Sequence, residues 1–172
     1  MTIFYIFLTI LFAYFFLVFF VARFFVPYLG FKKDMPRQDL PAEVMQKISE
    51  MENQAADQKA YLQLAYDFII HKWTGGRFNV IFNFPKLFRN DIGKIWNQTG
   101  YAHCTTKNFI LYTLLANSKY FKVDDIKIRH TFWNMVVHQY LKVKLGNRWV
   151  DVDPAAASIG NYPIGTHGWF FR

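Results

Sequence analysis

Residues 138–154 read HQYLKVKLGNRWVDVDP, and this stretch decides the fold of the C-terminal half of the chain. Apolar and polar residues alternate on both sides of Gly146 and Asn147, a pair that is typical of a tight β-hairpin turn. Such a turn pairs the two residues that flank it, here Leu145 and Arg148. We therefore predict two antiparallel strands whose register is set by the turn between them.

The register predicted from this turn brings a histidine close to an aspartate. Counting outward sets Tyr140 opposite Asp153, so that His138 lies diagonally next to Asp153 on the same face. Diagonal neighbours on an antiparallel pair have Cβ atoms about 7–8 Å apart or somewhat less, within reach of a side-chain hydrogen bond. The opposite face carries the apolar residues Leu141, Val143, Leu145, Val150 and Val152. We expect this second face to pack against the core.

The same alternation extends to the neighbouring segments. Residues 126–133, 136–145 and 148–153 are enriched in β-branched and aromatic residues, which predicts a small sheet of three antiparallel strands. Residues 105–118 carry apolar side chains at helical spacing, so they predict a helix that begins next to Cys104. We expect the helix that bears the cysteine to pack on this sheet.

The first half of the soluble part is predicted to be helical. From Ala42 to His71 helix formers dominate and apolar residues recur at helical spacing, which predicts two helices or one bent helix. Residues 77–100 are predicted to form an irregular, aromatic-rich connection. Because helices come first and a sheet follows, the predicted fold class is α+β.

The N-terminus has the composition of a membrane span. Residues 1–22 contain no charged side chain and are long enough, at ~1.5 Å per residue, to cross a hydrocarbon layer of about 30 Å. We predict a transmembrane helix from Ile3 to about Phe25, which is retained because no signal-peptide cleavage site follows it. The basic residues after it are Arg23, Lys32, Lys33 and Arg37. By the positive-inside rule they predict a single-pass protein whose C-terminal domain is cytoplasmic.

The charge and the cysteine content narrow the class of function. A net charge of +8 suits contact with anionic lipid headgroups or nucleic acid. The basic residues are scattered and no nucleic-acid-binding motif is present, so we expect no nucleic-acid partner. One cysteine excludes an intramolecular disulfide and a multi-cysteine zinc site. That single thiol, Cys104, is either an inert core residue or a reactive group.

The position of Cys104 favours the chemical role. A thiol at a helix N-terminus has its thiolate stabilised by the helix dipole, and a nearby imidazolium lowers its pKa further. A cysteine nucleophile needs a base within about 2.6–3.2 Å and a third group that orients the base. His138 and Asp153 can fill these two roles if the helix packs at that edge of the sheet.

Several alternatives stay open at this point. A lone cysteine at the start of an apolar helix is more often a core residue than a nucleophile. The histidines His130 and His103 are rival bases, and Asp151 competes with Asp153 because it lies on the same face. A metal site built from Cys104, a histidine and a carboxylate is disfavoured because no ligand pair has zinc-like spacing. We therefore expect neither a metal nor another cofactor.

Two motifs resemble the transglutaminase-like superfamily, which includes transglutaminases, peptide N-glycanases and many microbial cysteine proteases. One is GYAHCTTKNF at residues 100–109, where a cysteine opens a helix, and the other runs from His138 to Pro154 and ends in Asp-Pro. The resemblance covers roughly residues 59–157. It implies a papain- or transglutaminase-like core in which Cys104, His138 and Asp153 form the catalytic triad.

The resemblance also implies a reaction. Cys104 would attack a carboxamide or peptide carbonyl of a protein or peptide substrate and form a thioester, which water or an amine resolves. Hydrolysis and transamidation both stay open, as does a catalytically silent module that only binds at a membrane. The backbone N–H of Cys104 is one expected oxyanion donor, and Trp96 and Gln98 are candidates for the second. The chain departs from the family pattern at Tyr140, where a Trp is usual.

The expected domain division follows from these assignments. Residues 1–30 are a transmembrane anchor, 31–58 a juxtamembrane linker and helix, and 59–172 a transglutaminase-like catalytic domain. Because the anchor contributes no expected site residue, a chain that starts near Lys33 is expected to fold and keep its chemistry. The sequence contains no indication of an oligomeric state.

Overall fold

The computed structural model describes residues 2–29, 39–76, 79–89, 91–133, 136–160 and 162–169. Its helices are α1 (Thr2–Phe16), α2 (Ala22–Phe25), α3 (Ala42–Gln54), α4 (Gln58–Lys72), α5 (Asn79–Phe82), α6 (Ile92–Trp96), α7 (Cys104–Ala116) and α8 (Pro154–Ala157). A π-helical turn covers Leu17–Val21, and 3₁₀ turns cover Phe84–Phe88 and Val123–Asp125. The strands are β1 (Trp73–Thr74), β2 (Gly100–Tyr101), β3 (Ile126–Trp133), β4 (Val136–Leu145) and β5 (Arg148–Val152). The predicted α+β class is confirmed.

The main sheet has the predicted strands and register. Its order is β3-β4-β5, and both neighbouring pairs are antiparallel. Leu145 pairs with Arg148, as the turn predicts, and Leu141 pairs with Val152. Gly146 has a φ of 58°, a left-handed conformation that a tight hairpin turn requires and that glycine adopts without steric cost. The hairpin prediction is therefore confirmed, although β5 ends at Val152, one residue earlier than expected.

The core lies between this sheet and the central helices. The expected apolar face of the sheet is buried, since Leu141, Val143 and Val152 have no exposed surface. Helix α7 packs against β4 and against α4. The buried side chains of these two helices include Tyr61, Leu62, Ile69, Ile110, Leu111 and Leu114. This packing brings the N-terminus of α7, and with it Cys104, to the edge of the sheet.

The predicted helical region between residues 42 and 71 consists of two helices. They are α3 and α4. Asp57 lies between them and caps the N-terminus of α4, where its side chain accepts a hydrogen bond from the Ala60 N–H at 2.7 Å. This side chain satisfies one of the free N–H groups at the start of α4, which is why a new helix begins there.

Residues 77–100 are more regular than predicted. They contain α5, α6 and one 3₁₀ turn, each of four or five residues. Helix α6 begins where Asp91 accepts the Lys94 N–H at 2.8 Å, and its Ile95 and Trp96 are buried. Elements this short leave too few residues for an apolar period to be read from the sequence. The segment ends in β2, which pairs in parallel with β1 and leads directly into α7.

The predicted transmembrane helix from Ile3 to about Phe25 is wrong. No helix in the described ranges is long and apolar enough to cross a membrane, so the prediction of a single-pass membrane protein is wrong as well. The reason is that α1 ends at Phe16, after 15 residues, and a π-helical turn follows. Fifteen residues at ~1.5 Å each make about 22 Å, less than a hydrocarbon layer of about 30 Å.

The cytoplasmic orientation was inferred from the basic residues on the assumption of a transmembrane helix, so it has no basis without that helix. Lys32, Lys33 and Arg37 lie outside the described residues. The same is true of residues 31–38 of the expected juxtamembrane linker. The division at residues 30 and 58 therefore stays a prediction.

The end of the N-terminal segment contacts the core. The ring of Tyr28 is buried and stacks on Phe109 of α7, with 3.6 Å between the ring centroids and 11° between the planes. The side-chain amide of Gln139 donates hydrogen bonds to the carbonyls of Tyr28 at 2.7 Å and Leu29 at 3.0 Å. A chain that starts near Lys33 would lack these contacts, and the expectation that it folds and keeps its chemistry stays a prediction.

Candidate active site

Cys104 is the first residue of α7, and its side chain is partly exposed. The loop before it is held by hydrogen bonds to backbone carbonyls. The Trp73 indole N–H donates to the Gln98 carbonyl at 2.9 Å, and the Gln98 amide donates to the Tyr101 carbonyl at 2.6 Å. Because these bonds fix the chain on entry to the helix, they fix the direction of the Cys104 side chain.

His138 and Asp153 form a buried hydrogen-bonded pair, as the hairpin register predicts. The Nε2–H of His138 donates to the Asp153 Oδ2 at 2.7 Å. Only 3% of His138 and none of Asp153 is exposed. Because Nε2 is engaged by the carboxylate, the ring nitrogen left for Cys104 is Nδ1.

The Asp153 carboxylate is held by backbone groups in addition to the histidine. Its Oδ1 accepts the Ala156 N–H at 2.9 Å, so that Asp153 caps helix α8. Its Oδ2 accepts the Gly168 N–H at 2.9 Å as well as the His138 bond. Three donors therefore compensate the burial of this carboxylate and fix its orientation.

Cys104 and His138 share a hydrogen bond and shift each other's pKa. Burial raises the pKa of the Cys104 thiol, but the hydrogen bond to His138, the charge of that ring and the Gln139 backbone N–H outweigh it and lower the pKa below the usual value. Burial lowers the pKa of His138, but the hydrogen bonds to Asp153 and Cys104 outweigh it and raise the pKa to about 10. Both shifts favour the thiolate–imidazolium pair over the pair of neutral groups.

The two histidines considered as alternative bases, His130 and His103, contact backbone carbonyls. The His130 Nε2 is 2.8 Å from the Leu29 carbonyl oxygen. The His103 Nε2 is 3.1 Å from the Asn83 carbonyl oxygen, and burial lowers the pKa of His103. The structure thus brings Cys104, His138 and Asp153 together and directs these two histidines elsewhere.

The rival carboxylate is also engaged elsewhere. Asp151 Oδ2 lies 2.8 Å from His167 Nδ1, and its Oδ1 lies 3.4 Å from the Lys142 Nζ. Within the described part of the chain, the carboxylate that contacts His138 is that of Asp153. The register argument therefore selects the same carboxylate as the geometry does.

The two side chains considered as the second oxyanion donor have other partners. Trp96 is buried among aromatic rings, 5.2 Å from Phe68 and 6.3 Å from Trp73 between centroids. The Gln98 amide donates to the loop, and its Oε1 accepts a hydrogen bond from Arg89 at 2.7 Å. The amide donor of Gln98 is therefore engaged within the loop, and the Trp96 ring is packed in the core.

Sequence reasoning missed Lys107, which lies one turn after Cys104 on α7 and has no exposed surface. Its Nζ donates to the Trp73 carbonyl at 2.9 Å and to the Ser158 hydroxyl. Burial lowers the pKa of Lys107 to about 8, against the opposing charges of Asp153 and Cys104. The available signal was its position, since a lysine one turn after Cys104 and one turn before Ile110 and Leu111 lies on the same side of the helix as these residues.

The C-terminal segment was missed as well. Residues 162–169 fold back on the hairpin, where Gly168 contacts Asp153 and His167 contacts Asp151. The sequence offers no periodic signal for a segment without regular secondary structure.

Within residues 2–29, 39–76, 79–89, 91–133, 136–160 and 162–169, no three His, Cys, Asp or Glu side chains are grouped so that they could hold a metal ion.

Comparisons with protein-family models, with curated proteins and with solved structures found no match to this chain. The resemblance to the transglutaminase-like superfamily thus rests on the cysteine motif and the His-to-Asp-Pro motif. The arrangement of Cys104, His138 and Asp153 rests on its own contacts.

Proposed function

We propose that the chain is a transglutaminase-like cysteine enzyme that acts on peptide bonds or glutamine-type amides through a thioester intermediate. One observation carries the proposal: a thiol at the start of α7 is hydrogen-bonded to a buried histidine, which donates to a buried aspartate at 2.7 Å. In this proposal residues 59–172 form the catalytic domain, with a papain- or transglutaminase-like core.

The first half of the reaction uses the thiolate–imidazolium pair. The Cys104 sulfur attacks the carbonyl carbon, a C–S bond forms, and the carbonyl π electrons move to the oxygen. The His138 imidazolium then gives its Nδ1 proton to the leaving nitrogen as the C–N bond breaks, which releases ammonia or an amine. The product is a thioester on Cys104 and a neutral histidine.

The second half regenerates the enzyme. Neutral His138 accepts a proton from water or from an incoming amine as it attacks the thioester, and the C–S bond breaks to return the thiolate. Asp153 holds the ring in one orientation and stabilises its charge at each step. The backbone N–H of Cys104 belongs to the first turn of α7, whose N–H groups lack a partner within the helix, and it can donate to the oxyanion.

The test is the reactivity of the thiol as a function of pH. The rate of Cys104 alkylation by iodoacetamide should stay high well below pH ~8.5, the value of a free thiol, because the lowered pKa keeps the thiolate populated. His138→Ala should return the profile to that of an ordinary thiol. A wild-type profile with a midpoint near ~8.5 would contradict the proposal and favour a domain that only binds.

Turnover is tested separately. Glutamine-containing peptides should release ammonia, and added primary amine should separate transamidation from hydrolysis by its incorporation into the peptide. A matched control is His71→Ala, because the His71 ring lies on α4 and contacts the Asp67 carbonyl of its own helix. This variant should react like the wild type in both assays.

A further inference from the structure

The C-terminal residues 162–169 are attached to the domain by two hydrogen bonds near their beginning. The Tyr66 hydroxyl donates to the Tyr162 carbonyl, and the Gly165 N–H donates to the Asp151 carbonyl at 2.7 Å. Gly165 has a φ of 100°, a conformation that favours glycine and turns the chain toward the hairpin. The segment is therefore directed along β5 and toward the buried carboxylate.

His167 fastens the segment to the hairpin. Its Nδ1 lies 2.8 Å from the Asp151 Oδ2. Its ring stacks on Tyr140, with 4.2 Å between the centroids and 3° between the planes. Tyr140 lies two residues after His138, and Asp151 lies two residues before Asp153. Because side chains two residues apart share a face of a strand, His167 binds the hairpin on the face that carries the His138–Asp153 pair.

Gly168 then contacts the pair itself. Its N–H donates to the Asp153 Oδ2 at 2.9 Å, the same oxygen that accepts the His138 bond at 2.7 Å. The other oxygen is held by the Ala156 N–H at the start of α8. Without Gly168, the carboxylate would keep a single fixed backbone contact and could turn about that contact.

We propose that residues 162–169 are a positioning element of the active site: His167 fastens the segment to β5, and the Gly168 N–H fixes the Asp153 oxygen that orients His138. This inference rests on the proposed function of the Cys-His-Asp group. It assigns a role to a segment that carries no group able to react with substrate in the proposed mechanism.

The sharpest test removes a single N–H. Gly168→Pro deletes the donor, whereas Gly168→Ala keeps it and serves as the matched control. A hydrogen bond to a charged group is worth enough to change an equilibrium roughly 10- to 100-fold. We therefore expect Gly168→Pro to raise the apparent pKa of the Cys104 thiol and to slow its alkylation by iodoacetamide roughly 10- to 100-fold below the wild-type pKa. Gly168→Ala should stay close to the wild type.

A second pair of variants tests the same element through its fastening point. His167→Ala should shift the alkylation profile in the same direction, and His167→Asn should restore it in part, because its amide nitrogen can take the place of Nδ1. Urea unfolding of each variant should be measured to check that the domain stays folded. A domain that is destabilised with an unchanged profile has lost a structural contact only, and that result would overturn the inference.

The outcomes separate the inference from the proposed function. If the wild-type thiol itself titrates like a free thiol, the proposed function fails and the inference fails with it. If the wild-type pKa is lowered and neither Gly168→Pro nor His167→Ala changes the profile, the enzyme proposal stands and the positioning role is refuted. A lower thiol pKa in Gly168→Pro would also refute the positioning role. It would mean that the Gly168 N–H only competes with His138 for the Asp153 oxygen, so that its loss lets the carboxylate stabilise the imidazolium more strongly.

Discussion

Replacing Asp153 by asparagine tests how the carboxylate works, because both of its oxygens are used. Oδ1 accepts the Ala156 N–H, and Oδ2 accepts His138 Nε2 and the Gly168 N–H. An asparagine has one acceptor oxygen and one NH₂ group. Whichever way the amide is turned, its NH₂ group faces a donor that the aspartate satisfied.

The geometry sets the size of two separate losses. Turning the amide oxygen toward His138 and Gly168 leaves the Ala156 N–H at the start of α8 unpaired, which should lower the free energy of unfolding by about 1–3 kcal/mol. The loss of the negative charge removes the stabilisation of the His138 imidazolium. By analogy with other triads, turnover should fall by about 10²–10⁴, which corresponds to about 3–5 kcal/mol in the activation barrier.

The two losses are measured by different assays. Urea unfolding reports the stability, and ammonia release together with the pH profile of Cys104 alkylation reports the chemistry. A matched control is Asp57→Asn, because Asp57 caps α4 through the Ala60 N–H as Asp153 caps α8, at a helix that does not carry the Cys-His-Asp group. If Asp153→Asn keeps its turnover and its alkylation profile within about threefold of the wild type, the aspartate does not orient the histidine and the triad is refuted.

Three further predictions follow from the described contacts. Cys104→Ala should abolish ammonia release, and His138→Ala should nearly abolish it. His130→Ala should have little effect, because that ring faces the Leu29 carbonyl. A larger loss of ammonia release in His130→Ala than in His138→Ala would mean that the base is misassigned. Burial lowers the pKa of Lys107 from 10.5 to about 8, so between these two pH values the folded protein binds fewer protons at this lysine than the unfolded chain does. The free energy of unfolding attributable to Lys107 therefore rises with pH in that range. Urea unfolding at pH 7 and pH 10 should therefore show that Lys107→Met loses this rise relative to the wild type, and an unchanged difference would mean that the lysine is charged at both values. A chain that starts at Lys33 lacks Tyr28, whose buried ring stacks on Phe109, and should be less stable than a chain that starts at Val26 by about 3–5 kcal/mol; equal midpoints in urea would show that the N-terminal contact adds nothing.

The site was predictable where the sequence encodes a register. The pair Gly146-Asn147 selects a turn, the turn selects Leu145 and Arg148 as partners, and the period of two along a strand then determines which residues share a face. His138 and Asp153 follow from this count without any tertiary information. The helix that carries Cys104 was predictable from its apolar spacing, and it begins at Cys104.

Other features were not predictable because they depend on contacts between distant segments. The docking of Gly168 on Asp153 joins residues 15 apart through a segment without regular structure, and the Gln139 amide reaches the Tyr28 carbonyl across 111 residues. The N-terminal helix was misread for a different reason. Hydropathy reports that the segment from Ile3 to about Phe25 is predominantly apolar, but it does not report that the α-helix ends at Phe16.

Charge balance explains why these groups can be buried together. Asp153 has no exposed surface, and His138 is nearly as deeply buried. When Cys104 and His138 are ionised, two anions and two cations stand in one region, since Lys107 is buried beside them and its pKa responds to the charges of Asp153 and Cys104. An isolated buried charge would be expelled or neutralised by a pKa shift, whereas opposite charges with satisfied hydrogen bonds stabilise one another. Loss of a cationic member leaves a net negative charge in the buried group, and the thiolate can take up a proton in response, whereas loss of Asp153 removes the anion that stabilises the imidazolium. The reactivity of Cys104 should therefore depend on the whole group and not on His138 alone.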